Sequence, residues 1–318
     1  MMDFVKEAEK AEKRIRTYIR RTPLEFSHFL SKEGDTKVFL KLENLQLTNS
    51  FKIRGAINKV LSLEKNEKER GVITSSSGNH GAAFAFITSK LGIEGTIFLP
   101  EYTSQAKRTA LQNYGTKLEF IGNDCVHTEN HARKIAIERG LPYISPYNDP
   151  QIVAGQATIG IELMEQLKDI DVVLVPVGGG GLISGIAGYL KSIDKNIKII
   201  GCQPINSAVM YESIKAGKII VKESLDTISD GTAGGIEEHS ITYDYCKKYI
   251  DDFILVSEEE IKESIKLIMK HHYMLIEGAA ALTVSSFLKS KDDFAGKNVV
   301  LIISGAKISL DKIKEIMC

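Results

Sequence analysis

Short apolar runs alternate with helical patterns along nearly the whole chain. Runs rich in Val, Ile and Leu predict strands at Val38–Leu42, Val72–Thr74, Thr96–Leu99, Lys117–Ile121, Val172–Val177, Ile197–Cys202, Phe253–Val256 and Val299–Ile303. Several are continuous rather than alternating, as expected of strands buried on both faces. Between them, apolar residues recur at helical spacing over Ala82–Leu91, Gln105–Tyr114, Thr128–Arg139 and Ile152–Gln166. Near the N-terminus Phe4, Ala8, Ala11, Ile15 and Tyr18/Ile19 share one helical face. This strand–helix–strand repetition predicts an α/β fold of parallel sheets covered by helices. Ligands in such sheets bind beyond the carboxyl ends of the strands, and the glycine and serine clusters fall there.

Composition narrows the function. A chain of 318 residues fits two domains at roughly 150 residues each. Lys+Arg and Asp+Glu are both 41, so the formal charge is zero. That excludes the global positive field of a nucleic-acid or anionic-membrane binder. An apolar fraction of 43% excludes a disordered chain. Cys125, Cys202, Cys246 and Cys318 lie 77, 44 and 72 residues apart, which matches no CxxC or zinc spacing. They read as idle thiols of a cytoplasmic protein. The first 22 residues mix seven basic and four acidic side chains, unlike a secretory or organellar leader. The longest uncharged run, Val172 to Leu190, holds Pro176 and a cluster of glycines, so it is no membrane span.

Four segments carry chemistry. Gly178-Gly179-Gly180-Gly181 leaves a strand and opens a helix, where bare backbone N–H groups and the helix dipole suit a phosphate. It lacks the lysine of a P-loop, and Ser184 stands where a dinucleotide fingerprint wants Gly or Ala. The bland alternative is a tight turn. Lys52 sits among Phe51, Ile53 and Ala56 after another strand; desolvation there would favour a nucleophilic amine over an ordinary surface charge. Thr74-Ser75-Ser76-Ser77-Gly78-Asn79-His80-Gly81 offers a carboxylate or anion seat at a helix start, or merely a serine cap. Taken alone, His80 reads as structural. Ser304-Gly305-Ala306 ends the last strong strand.

Together, SFKIRGA around Lys52, SSSGNHG around Asn79, VGGGGLISG from Val177 and ISG at Ser304 resemble the pyridoxal-phosphate enzymes of the tryptophan-synthase β-like family, fold type II. The likeness is to the threonine/serine dehydratase and serine racemase group. It runs from about residue 15 to 315 and includes TPL at Thr22, KLENLQ at Lys41, AGQATIG at Ala154 and DG at Asp230. The resemblance implies that Lys52 joins the cofactor aldehyde as a Schiff base and serves in catalysis. It implies that Asn79 meets the ring 3′-hydroxyl, that Gly178, Gly179, Gly180, Gly181 and the Leu182 N–H hold the phosphate, and that Ser304 faces the ring nitrogen. Ser76, Ser77, Asn79 and His80 would receive the substrate carboxylate. Ser77 matches the residue that works opposite the lysine in racemising relatives.

The same resemblance implies an α/β fold of two domains, each a mostly parallel twisted sheet with helices on both faces: a large cofactor-binding domain, residues 1–70 and 148–318, and a small substrate-binding domain, 71–147, with the cofactor in the interdomain cleft. It implies a homodimer or homotetramer. The expected reaction is removal of water and ammonia from L-threonine and/or L-serine to give a 2-oxo acid. The nearest rival is a serine racemase with side elimination; further rivals are a synthase and a nucleotide-binding module.

Three departures qualify the match. Asn49 stands where relatives have glycine, and Asn tolerates left-handed backbone best among the other residues. Ala306-Lys307 replaces the usual Gly-Asn. Gln203 and Val209 occupy the positions of a divalent-metal site and bring no carboxylate, so no metal is expected there. The chain ends at Cys318, and the expectation is that no C-terminal regulatory domain follows.

Overall fold

The structure is a computed structural model, and it describes residues 2–317. Its strands are β1 (Leu24–Phe26), β2 (Lys37–Lys41), β3 (Val72–Ser75), β4 (Gly95–Leu99), β5 (Lys117–Phe120), β6 (Val172–Pro176), β7 (Lys198–Pro204), β8 (Asp252–Val256) and β9 (Asn298–Ile302). They form a six-stranded sheet in the order β1-β2-β9-β6-β7-β8 and a three-stranded sheet in the order β3-β4-β5. Every pairing is parallel except β1 with β2. All eight expected strands are present. The pattern missed β1, three residues at a sheet edge that follow Pro23 and show no apolar run.

Burial on both faces explains the continuous apolar runs. In β6, Val172 and Leu174 enter one core cluster while Val173 and Val175 enter another. In β9, Val299 and Leu301 divide from Val300 and Ile302 in the same way. Successive side chains point to opposite faces of a strand, so a strand covered by helices on both sides needs an apolar residue at every position. The helices comply. Phe4, Ala8, Ala11 and Ile15 of helix Phe4–Ile15 are buried, and Asp3 caps it by accepting from the Lys6 N–H at 3.1 Å.

Helix Lys52–Ser62 lies between the two sheets' surroundings. Its Ile53, Ala56, Ile57 and Val60 share a core cluster with Phe84 and Ile97 of the three-stranded region. It also crosses helix Pro150–Gln166 at very close range. A Cβ on Gly155 would lie 2.6 Å from the Arg54 carbonyl oxygen, and one on Gly55 would lie 2.9 Å from that of Ile152. Glycine is required at both positions by this crossing, which brings the chain just after Lys52 against the second helix.

Candidate active site

The four chemical segments lie at strand ends, as the pattern implied. After β2 the chain turns at Asn49, whose φ of +59° is the left-handed value that glycine usually supplies. The turn delivers Lys52 as the first residue of its helix rather than as part of a loop. The segment is tied to the end of β9. The Phe51 N–H donates to the Ser304 carbonyl at 3.0 Å, and the Ala306 N–H donates to the Asn49 carbonyl at 3.0 Å. Ser50 and Gly305 form an isolated antiparallel bridge.

Lys52 is half-buried, with its Nζ donating to the Pro146 carbonyl at 2.8 Å and lying 5.2 Å from the Phe51 ring centre. Burial lowers its pKa from 10.5 to about 8, and the Glu277 carboxylate opposes that shift. A neutral amine is therefore accessible near physiological pH, which is what a nucleophile or base requires.

Helix Asn79–Leu91 starts beyond β3 with no side-chain cap. The serines before it are therefore not ordinary capping residues. Ser76 Oγ accepts from the Gly78 N–H at 3.3 Å, Ser75 Oγ donates to the Phe98 carbonyl at 3.2 Å, and the Ser77 hydroxyl has no partner among the described residues. The first intrahelical bond runs from the Ala82 N–H to the Gly78 carbonyl, which leaves the preceding N–H groups for an acceptor from outside. Gly81 is dictated by packing, since a Cβ there would sit 2.0 Å from the Ser76 carbonyl oxygen.

The ring of His80 is buried and engaged. Its Nε2 lies 2.9 Å from the Ile144 carbonyl, and burial, helped by the Lys52 charge, lowers its pKa to about 3. It is neutral, so any part it takes in an anion seat belongs to its backbone. Asn79 donates through Nδ2 to both carboxylate oxygens of Glu277, at 3.0 and 2.9 Å, and its buried Oδ1 has no partner.

The tetraglycine follows β6, and Gly180 stands before helix Gly181–Ile193 with φ +84° and no side-chain cap. The structure adds a reason for these glycines beyond anion approach. A Cβ on Gly179 would lie 2.6 Å from the Tyr147 ring, one on Gly181 would lie 3.0 Å from Tyr147 Cβ, and one on Gly178 would lie 2.9 Å from Thr232 Cα. Tyr147 thus packs directly beneath the loop, with its hydroxyl accepting from the Glu237 N–H at 2.9 Å. Its neighbours on the chain serve the other segments, because Pro146 receives Lys52 and Ile144 receives His80. Residues 144–147 are the common support for the lysine, asparagine and glycine segments. Ser304, 1% exposed, keeps a hydroxyl with no partner.

Sequence reasoning missed Tyr147, which no motif marks. It also missed Glu277, which carried a signal: a lone carboxylate between Ile276 and the small apolar run Gly278-Ala279-Ala280-Ala281. A charge inside such a run is buried and therefore needs partners. Glu277 is 3% exposed and stands over Gly305, where a Cβ would lie 2.5 Å from its Oε1. Other motif residues belong elsewhere. Thr22, Lys41, Glu43 and Arg54 join Glu162 in a buried ionic cluster, with Arg54 donating to Glu43 at 2.8 Å and to Glu162 at 2.9 Å.

Gln203 Oε1 accepts from the Tyr211 N–H at 2.8 Å. The described residues contain no cluster of three or more metal-ligating side chains. Cys202 and Cys246 are buried free thiols, and Cys318 lies outside the described residues. No helix among the described residues is long and apolar enough to cross a membrane.

Comparison with known proteins agrees with this geometry. A family model described as pyridoxal-phosphate dependent enzyme matches residues 15–305. The chain is 41% identical over 314 residues to the catabolic L-threonine dehydratase TdcB of Staphylococcus aureus, covering 97% of this chain and 90% of that protein. Among solved structures it is similar to the processed form of threonine deaminase isoform 2 from Solanum lycopersicum, with a TM-score of 0.94 and 32% identity over 99% of this chain and 92% of that one. It is also similar to maize serine racemase, with a TM-score of 0.92 and 30% identity over 98% and 96% of the two chains. A half-buried lysine of lowered pKa, an uncapped helix start and a glycine loop, matched along nearly the whole chain, place this protein in the family of pyridoxal-phosphate dependent enzymes.

Proposed function

We infer that the protein is an ammonia-lyase that removes water and ammonia from L-threonine and/or L-serine to leave a 2-oxo acid. The observation that carries this reading is the 41% identity with an L-threonine dehydratase along 97% of the chain. The residues present fit the cofactor of the family. Ser304 Oγ and Asn79 Oδ1 are buried polar atoms without partners among the described residues. The glycine loop, closed beneath by Tyr147 and Thr232, leaves an uncapped helix start that would take the phosphate.

Lys52 would hold the cofactor aldehyde, the N–H groups from Gly178 to Leu182 its phosphate, Asn79 its ring hydroxyl and Ser304 its ring nitrogen. Bound there, pyridoxal phosphate supplies an electron sink for charge developing at the substrate Cα. The remaining work belongs to this chain. Backbone N–H groups of the Ser76–His80 segment orient the substrate carboxylate. The Lys52 amine, with its pKa near 8, takes the α-proton on its own face. Loss of that proton and of the β-hydroxyl, as water, leaves an enamine. Once released, the enamine takes up water and yields ammonia and the 2-oxo acid. Ser304 is a neutral hydroxyl and stabilises charge at the ring nitrogen less than a carboxylate would, which favours prompt departure of the β-hydroxyl.

We read residues 71–147 as the small substrate-binding domain, residues 1–70 and 148–318 as the large cofactor-binding domain, and the cleft between them as the cofactor's place. In support, the three-stranded sheet lies wholly inside 71–147 and the six-stranded sheet wholly outside it. Helix Lys52–Ser62 packs in the core of the three-stranded region, so the division is less sharp in space than in sequence. The family resemblance supports a homodimer or homotetramer, and the buried free thiols support a cytoplasmic setting.

The racemase reading rests on Ser77 and on the likeness to maize serine racemase. Racemisation needs a proton exchanged on the face opposite Lys52. The test is 2-oxo acid formation from L-threonine, L-serine and D-serine, with chiral analysis of the residual substrate. The lyase reading expects 2-oxo acid from the L-substrates with little D-serine formed. D-serine accumulating faster than pyruvate would replace it with the racemase.

A further inference from the structure

The pair Asn79 and Glu277 is built with a definite polarity. Asn79 comes from the uncapped start of helix Asn79–Leu91, and Glu277 stands just before helix Gly278–Lys289. The Glu277 N–H donates to the Gly305 carbonyl at 3.1 Å, and its Oε2 accepts from the Lys307 N–H at 3.1 Å. The absence of a side chain on Gly305 lets the carboxylate lie close over the backbone, where a Cβ would be 2.5 Å from its Oε1. An ionised carboxylate accepts hydrogen bonds and donates none. Asn79 therefore turns its NH2 toward Glu277 and its Oδ1 away, and that buried Oδ1 is the atom left without a partner.

Burial pushes the Glu277 carboxyl up to about 7, against the pull of the Asn79 amide and the Lys307 cation. The charged groups facing it are Lys52 on the lysine helix, Asp230 on the loop before Gly231, and Lys307 after β9. At pH 8 and above the ionised form dominates.

We propose that Glu277 is a positioning residue that holds the Asn79 amide in place, so that Asn79 meets the ring hydroxyl of the cofactor in one fixed orientation. The proposal rests on the reading of Asn79 as the ring-hydroxyl contact. Glu277 acts through Asn79 and touches the cofactor at no required point.

A double-mutant cycle on the full-length holoenzyme at pH 8 tests this, with the cofactor dissociation constant read by equilibrium dialysis. Asn79→Ala is expected to raise that constant about tenfold, the cost of leaving one buried polar group unpaired. Glu277→Ala is expected to raise it by a similar factor, and Glu277→Gln, which keeps one acceptor for the Asn79 NH2, by about threefold. In the Asn79→Ala background, either Glu277 substitution should change the constant by less than about twofold, because its route of action is gone. Full, independent effects of Glu277 in that background would overturn the proposal while leaving Asn79 as the contact. An unchanged constant in Asn79→Ala alone would overturn the contact itself. If Glu277→Ala does not fold, the Gln variant completes the same cycle.

Discussion

Two buried polar clusters lie within a turn of each other on helix Lys52–Ser62, and they are built to opposite rules. Around Arg54 the polar groups close on one another. Arg54 donates to Glu43 and Glu162 with both edges of its guanidinium, Lys41 reaches Glu162, the Thr22 carbonyl and Gln166, and Arg16 reaches Glu162 at 2.7 Å. Burial alone would raise the Glu162 pKa, yet Arg54 and Lys41 hold it down at about 2. Among the described residues of this cluster, the one buried side-chain atom without a partner is Arg16 Nη1. Around Lys52 the polar groups stay open. Ser304 Oγ, Ser50 Oγ and Asn79 Oδ1 are buried without partners, and two helices begin uncapped. Buried polar atoms are normally satisfied, so unsatisfied ones converging in one place mark where a ligand completes the structure. On the function proposed above, the closed cluster is support and the open one is the site.

The comparison can be broken first at Lys52. Lys52→Ala should lower turnover by at least about a thousandfold, since it removes both the cofactor's attachment and the base. The folded state should survive, as Lys52 makes only one hydrogen bond. Steady-state rates and far-UV circular dichroism check this together; retained turnover would move the chemistry elsewhere. Glu162→Ala should do the reverse. It strands Arg54 and Lys41 without their shared counter-ion, and removing one partner of a buried ion pair costs about 3–5 kcal/mol. Denaturant unfolding reads that loss, and an unchanged midpoint would mean the cluster is not the support described.

Much of this was legible in the sequence because strand ends and chemistry coincide. Apolar runs, several of them continuous, gave eight strands. The left-handed turn at Asn49 followed from the special tolerance of Asn, and its φ of +59° agrees. What was illegible depends on pairing across the chain. Nothing in KLENLQ, or in the residues just after AGQATIG, separates a site residue from a support residue, and Lys41, Glu43 and Glu162 prove to be support only once Arg54 is seen between them. Tyr147 gives no pattern because its role is to fill the space left by two glycines more than 30 residues further on. Edge strand β1 is too short to show a period. Glu277 was readable from its apolar surroundings, but its partner, Asn79, lies nearly 200 residues earlier in the sequence.

The next expected effect concerns pH. His80 has its pKa at about 3 in the folded chain, against about 6.5 when exposed. A histidine depressed in this way takes up its proton more readily when unfolded, so the native state loses stability as pH falls from 6.5 toward 3. At pH 5 that loss is about 2 kcal/mol, at ~1.4 kcal/mol per pH unit. His80→Gln keeps a donor for the Ile144 carbonyl and removes the titration. Its stability, measured by urea unfolding, should fall less than wild type between pH 6.5 and 5; an equal fall would place the acid sensitivity elsewhere.

The smallest effect separates the clusters most finely. Ser304→Ala deletes a hydroxyl that has no partner in the protein, so the cofactor-free chain should be unchanged or more stable by up to about 1 kcal/mol. Cofactor affinity should nevertheless fall. Thermal unfolding with and without pyridoxal phosphate measures both, and a destabilised cofactor-free variant would show that Ser304 belongs to the support.

The central claim is that the open cluster holds the cofactor through Lys52. Borohydride reduction of the purified holoenzyme, followed by proteolysis and mass spectrometry, tests it directly by fixing the cofactor to its lysine. The account predicts the label on the peptide containing Lys52 alone. Label on Lys307, the other lysine of lowered pKa beside Glu277, or on any lysine elsewhere, would contradict it.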